Sequence, residues 1–373
     1  MRSSHPLLLE MAEELSKIGC DCMHTPESPS LGWLIANRGK IDIIHLHWPE
    51  HYYWPLERSR VGRLINRIAD RSKLSDLLRL LCLTWLWAFV TLAKLLRLPI
   101  VWTIHDLYPH GGDRLEPYQL ERTARSLLMR NVSAAIVNGA SAAPLVTSEF
   151  GSPKHLVVAP LGNYRKFYPD TVAAAEARQA MGVGQNEIVF LCFGSMRKYR
   201  NALSVIHAFR NMREKDLRLF VVGGTYSDAL RQEMEKAAWG DWRIRCFFQL
   251  VPNDQIEYLI KACDFVVMPG YRYLTSAVIV LALSFGRPVI APRYGCAIDQ
   301  VGEAGILYDD QDPTGLENAM REAIVADLEK YKELAEKQSG TFSWALTAAR
   351  MFEAYTKAQK NEMHQSALDA RSV

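Results

Sequence analysis

"MPGYRYLTSAVIVLALSFGRPVIAP", residues 268–292, decides how this chain folds. Its middle, Ala277 to Phe285, is nine residues without a charge. "DFVVMPG" before it and "RPVIAP" after it are short apolar runs bounded by turn residues, which is how parallel strands covered on both faces read. Parallel strands need a crossover, and here the apolar run follows Thr275 or Ser276, both good N-cap types, and stops at Gly286. That predicts a buried crossover helix. Its first amides open at the carboxyl edge of the sheet, where unpaired N–H groups favour an anion, with phosphate the natural candidate. Taken alone, the pattern fits equally a core helix that binds nothing.

Working outward, strand and helix alternate almost throughout. "IDIIHLHW", "PIVWTIHD", "SAAIVNG" and "HLVVAPLG" read as strands of the first half, and "IVFLCFGS", "LRLFVVGG", "IRCFFQLV", "DFVVMPG", "PVIAP" and "AGILYDD" as those of the second. Such alternation predicts an α/β protein of two Rossmann-like, doubly wound domains facing a cleft. The boundaries read as 1–165 for the first domain, 166–340 for the second, a helix at 341–360 and a tail at 361–373. One feature departs from this pattern. The chain starts at "MRSSHPLLLEMAEEL", already entering a helix, so the usual first strand is missing or lies upstream.

A chain of 373 residues suits two domains, and 49% hydrophobic with 23% charged content is that of a soluble globular protein. Seven scattered cysteines, an odd number, argue for a reducing compartment rather than a disulfide framework. Cys20 and Cys22 alternate on an apparent strand and read as core packing. The net charge of +3 hides a local excess. From Leu56 to Leu98 there are nine basic residues against three acidic ones, net +6. Just behind the arginines comes "LSDLLRLLCLTWLWAFVTLAKLLRLP", whose uncharged run is 14 residues, too short to cross a hydrocarbon layer of about 30 Å. This predicts a cytoplasmic protein held peripherally on the anionic inner face of the cell membrane. A core helix beside a solvated basic loop is the alternative. Nucleic acid is not expected, because no recognised binding module accompanies the charge.

Chemistry concentrates after the strand "IVFLC". "FGSMRKYRN" (193–201) puts Gly194 and Ser195 at the strand's end and then offers Arg197, Lys198 and Arg200. Guanidinium groups fork onto phosphate oxygens and stay charged. With the helix start at Thr275 and Ser276 they would hold a diphosphate from two sides. A solvated basic turn is the bland reading. No GxxxxGK[ST] occurs, which disfavours simple ATP hydrolysis. Gly224 of "VVGGT" would let a nucleoside approach the backbone closely.

"FGSMRKYRN", "LFVVGG", "DFVVMPGYRYLTSA" and "LALSFGRPVIAP…VGEAGILY" resemble the C-terminal half of GT-B fold glycosyltransferases of the broad family-4-like group. The pattern is closest to bacterial exopolysaccharide transferases, including mannosyltransferases of the xanthan type. The resemblance implies a hexosyl unit moved from a nucleoside-diphosphate sugar, GDP- or UDP-linked, to a lipid-linked saccharide in surface-polysaccharide assembly. No further cofactor and no bound metal are implied. It assigns Gly194, Ser195, Arg197, Arg200, Gly224, Tyr271, Thr275 and Ser276 to the donor. Retaining members carry two glutamates eight residues apart, where this chain has Tyr273 and Leu281. That departure points to an inverting reaction. It also keeps open a sugar-nucleotide epimerase or a non-catalytic transferase partner.

The first domain would supply the acceptor side. "IIHLHWPEHYYW" (43–54) places His45 and His47 on one strand face, followed by aromatic rings able to stack on sugars, with His47, Trp48 and Tyr52 as the acceptor group. A metal set of His45, His47 and His51 is the lesser reading. "WTIHDLYPH" ends a strand at His105 and Asp106, and the resemblance places His105 near the donor sugar. Inversion needs a base for the acceptor hydroxyl, with Asp106 first and Glu50 second. Both residues also fit structural roles. "VVAPLGNYRKFYP" resembles the family's turn before the interdomain linker, with Leu161 where the family has histidine and Gly162 kept for the turn.

Overall fold

A computed structural model describes residues 6–25, 29–50, 73–108, 119–168, 170–270 and 273–369. The chain forms two compact units. One is built from Met1–Pro109, Glu116–Pro160 and Trp344–Val373, and the other contains Leu161–Ser343. The division therefore falls at Leu161 rather than at 166. The closing helix, Trp344–Asp369, groups with the first unit and continues nine residues past the end expected at 360.

The first unit carries a four-stranded parallel sheet of β1 (Ile44–Leu46), β2 (Ile100–Ile104), β3 (Ala134–Val137) and β4 (Leu156–Val158), ordered as in the sequence. β2 and β3 are buried at every position, which is why their sequences are unbroken apolar runs rather than alternating ones. Among the described residues no strand precedes β1. The Trp344–Asp369 helix packs on β2, β3 and β4, and the Pro6–Lys17 helix packs against it. Cys20 and Cys22 do not lie on a strand, and Cys22 is exposed. The basic, greasy segment ends in one long helix, Lys73–Leu95. Leu86, Phe89, Val90 and Ala93 bury one face of it, while Trp85 and Trp87 stay exposed. Among the described residues no helix is long and apolar enough to cross a membrane.

The second unit carries six parallel strands: β5 (Ile188–Phe193), β6 (Leu217–Val222), β7 (Ile244–Phe247), β8 (Phe265–Val267), β9 (Val289–Pro292) and β10 (Gly305–Tyr308). Their order is β10-β9-β8-β5-β6-β7. The chain builds outward from β5 to β7, returns to the centre, and builds the other way from β8 to β10. The reversal lies between β5 and β8, the place where sheets of this kind bind ligands between diverging loops. A buried pair pins the junction. Asp264 Oδ2 accepts from Val189 N at 2.8 Å and from Arg178 Nη1 at 3.1 Å.

The quoted stretch folds as its pattern predicts. Its helix spans Ala277–Ser284, with Ser276 as N-cap accepting from Ile279 N at 3.4 Å. Gly286 follows with φ +65°, the left-handed conformation that glycine enters without penalty. Thr275 is not the cap; its Oγ1 lies 3.3 Å from Cys296 Sγ.

Candidate functional site

β5 ends at Phe193, and the next residues turn sharply. Gly194 takes φ +118°. A Cβ there would lie 2.6 Å from Arg200 Nη1 and 3.5 Å from Val278 Cγ2. Three residues distant in sequence thus meet at the reversal point: the strand-end glycine, the arginine six residues on, and the first turn of the apolar helix. Ser276 caps Ile279 N, and the amides of Ala277 and Val278 have no intrahelical acceptor available. Arg200 Nη1 is buried without a hydrogen-bond partner among the described residues, while its Nε reaches Tyr199 Oη at 3.5 Å. A buried, unpaired guanidinium nitrogen is costly unless something occupies the space beside it. An anionic oxygen at that point would satisfy the arginine and the helix amides together.

The other donor candidates take distinct places. Arg197 stacks over the Tyr226 ring at 4.4 Å and directs Nε to Ser195 Oγ at 3.4 Å. The loops after β5 and β6 are joined by Met196 N donating to Gly224 O at 2.8 Å. A Cβ on Gly224 would touch Leu250 Cδ2 at 3.3 Å. The close approach expected at "VVGG" is made at Gly223, where the Gly194 carbonyl oxygen would sit 1.8 Å from a Cβ. Gly223 thus serves backbone-to-backbone packing, while Gly224 faces the Leu250 side chain. Tyr271 lies outside the described residues. Tyr273, which stands where the resemblance places a glutamate of retaining members, is 5% exposed, and its hydroxyl has no partner among the described residues. Burial, then Tyr308, pushes its phenol well above the ordinary range.

In the first unit, β1 and β2 deliver a cluster of rings. His47 Nδ1 and His105 Nε2 share a hydrogen bond of 3.0 Å, and Trp48 stacks on His105 with centroids 5.1 Å apart. His45 stands on the same face, 4.3 Å from the His47 ring, but is fully engaged. Its Nδ1 meets Tyr355 Oη at 2.7 Å and its Nε2 meets Thr103 Oγ1 at 2.8 Å. Burial, then His105, pushes its pKa down to about 3, so this imidazole is neutral at any ordinary pH. Glu50 sits 3.5 Å from Arg125 Nη2. Arg125 is 3% exposed, and its Nη1 donates to the Asp106 carbonyl at 2.9 Å. Glu50 thus pairs with a buried arginine that also holds the Asp106 backbone. Tyr52 and His51 lie outside the described residues. Among the described residues no group of histidine, cysteine, aspartate and glutamate is arranged to hold a metal.

Arg125, Tyr226 and Tyr355 were not legible as partners of these residues. Each acts across a sequence gap of 19 or more residues, so no local pattern marks it.

Two parallel-sheet α/β units, the second with its strand order reversing between β5 and β8, fit the GT-B fold. The whole chain is similar in structure to sucrose-phosphate synthase from Thermosynechococcus elongatus, with a TM-score of 0.67, 19% identity and coverage of 94% of this chain and 92% of that one. Residues 187–325 match the family described as glycosyl transferases group 1. It is 29% identical over 295 residues to a D-inositol 3-phosphate glycosyltransferase of Corynebacterium kroppenstedtii, covering 73% of this chain and 65% of that protein's length. It is 26% identical over 291 residues to a GDP-mannose:glycolipid 4-beta-D-mannosyltransferase of Xanthomonas campestris pv. campestris, covering 77% of this chain and 72% of that protein.

Proposed function

We propose that this protein is a nucleotide-sugar-dependent hexosyltransferase. The acceptor hydroxyl oxygen attacks C1 of the sugar, the C1–O bond to the diphosphate breaks, and the electron pair leaves with the nucleoside diphosphate. The hydroxyl proton passes to a base, for which Asp106 is the proposed residue. Arg200 and the amides opening the Ala277–Ser284 helix stabilise the charge that develops on the leaving diphosphate. The observation that carries this reading is the buried Arg200 Nη1, without a partner among the described residues, beside Gly194 and Val278.

A lipid-linked saccharide is the proposed acceptor. Supporting it are the Xanthomonas relative, named for a glycolipid, and the exposed Trp85 and Trp87 on the helix that follows the basic segment. Rings of this type favour the membrane interface, which suits peripheral attachment on the cytoplasmic side. Inversion is proposed from Tyr273 and Leu281 standing where retaining relatives carry glutamates.

Arg200→Ala should weaken UDP or GDP binding by about 10- to 150-fold, the loss of a charge-assisted hydrogen bond of about 1.5–3 kcal/mol. Unchanged affinity in calorimetry would refute the diphosphate site. Incubation with radiolabelled nucleotide sugars and a membrane lipid extract tests the acceptor. Label entering the lipid phase supports it, label on added inositol phosphate redirects it, and binding without turnover rejects the enzyme.

A further inference from the structure

Tyr273 is the second unsatisfied polar group of the crevice. Its hydroxyl and Arg200 Nη1 are both buried and both lack partners among the described residues. Gly270 lies between the Tyr273 ring and the main chain of Arg200, and the Arg200 charge acts on the Tyr273 phenol. A Cβ built on that glycine would lie 3.2 Å from Tyr273 Cε1 and 3.6 Å from the Arg200 carbonyl oxygen. The turn after β9 holds the backbone at Tyr273 and Leu274 in place. Cys296 N donates to Leu274 O at 2.8 Å, and Gly295 approaches so closely that a Cβ there would sit 3.1 Å from Tyr273 O. Burial keeps the phenol protonated, so it is a neutral donor. A carboxylate at this place could only accept hydrogen bonds, or would take Arg200 for itself.

Resting on the transferase reading above, we infer that the Tyr273 hydroxyl donates a hydrogen bond to an anionic oxygen of the donor substrate that is charge-balanced by Arg200. Two sources offer such an oxygen: the diphosphate, and a carboxylate on the transferred sugar. The site therefore takes a more negatively charged donor than one lined by a carboxylate at this position.

The experiment compares wild-type full chain with Tyr273→Phe, which removes one oxygen and keeps the ring. Calorimetry reads affinity for UDP, GDP, UDP-glucose, GDP-mannose and UDP-glucuronate, and thermal denaturation reads the free protein. Tyr273→Phe should weaken binding about three- to tenfold, as expected for one neutral donor. Weakening that includes UDP or GDP assigns the diphosphate oxygen, and weakening confined to UDP-glucuronate assigns the sugar carboxylate. In the free protein its melting temperature should equal or exceed that of wild type, since an unpaired buried hydroxyl contributes no bond. Unchanged affinity for every ligand overturns the inference. So does a loss confined to the neutral sugar nucleotides, or a lower melting temperature, which would reveal a structural partner. If the wild type binds none of the five ligands, the transferase reading falls and this inference falls with it.

Discussion

Replacing Gly194 with alanine tests the geometry of the crevice most directly. Two costs are separable. The backbone at φ +118° is closed to a residue with a side chain, a strain of roughly 1–3 kcal/mol. The new methyl would stand 2.6 Å from Arg200 Nη1, inside any real contact, so the guanidinium must move. Moving the flexible end of an arginine costs little sterically, but it removes the group proposed to meet the diphosphate. Stability should therefore fall by roughly 1–3 kcal/mol, a melting shift of about 2–4 °C per kcal/mol for a unit of this size. Nucleotide affinity should fall further, by about 10- to 150-fold. Gly240→Ala is the control: its φ is +81°, yet a Cβ there meets nothing within 4 Å. It should destabilise the protein and leave binding alone. The assay is thermal denaturation beside calorimetry with UDP and GDP. If Gly194→Ala loses stability like the control and binds nucleotide as tightly as wild type, the position of Arg200 does not matter and the crevice argument fails.

The remaining predictions concern the first unit. The unfolded His45 imidazole takes a proton below 6.5 whereas the folded one resists until about 3, so stability is whole above pH 6.5. It should then fall by about 1.4 kcal/mol per pH unit on acidification through that window. Urea denaturation at several pH values checks this, and His45→Asn should lose that part of the slope; an identical slope would acquit His45. Asp106→Asn should abolish turnover with nucleotide affinity intact. Glu50→Gln should instead cost about 1–3 kcal/mol of stability, because Arg125 loses its counterion, and should retain turnover. The reverse pattern would exchange the two roles.

The quoted helix was legible because its signals are local. A capping serine, an unbroken apolar run and a closing glycine act within a few residues of one another, and the folded chain keeps all three. The basic turn after β5 was equally visible, as a set of charges following a strand. Its use was not. Arg197 and Arg200 look alike in the sequence, yet one stacks on Tyr226 and the other buries its Nη1 over Gly194. His45 and His47 also look alike, being two residues apart on β1. Only the return of the Trp344–Asp369 helix puts Tyr355 against His45, making that residue part of the core.

By itself, then, the sequence determined the kind of elements, the ends of the central helix and the presence of cations after β5. Tertiary structure alone decided that β5 lies beside β8 and not beside β7's far edge, which brings Arg200 and Val278 together at Gly194. The physical reason is range. Caps and periodicity arise from neighbours along the backbone, whereas strand order is chosen by burial of whole faces, and that choice leaves no mark on any single stretch of residues.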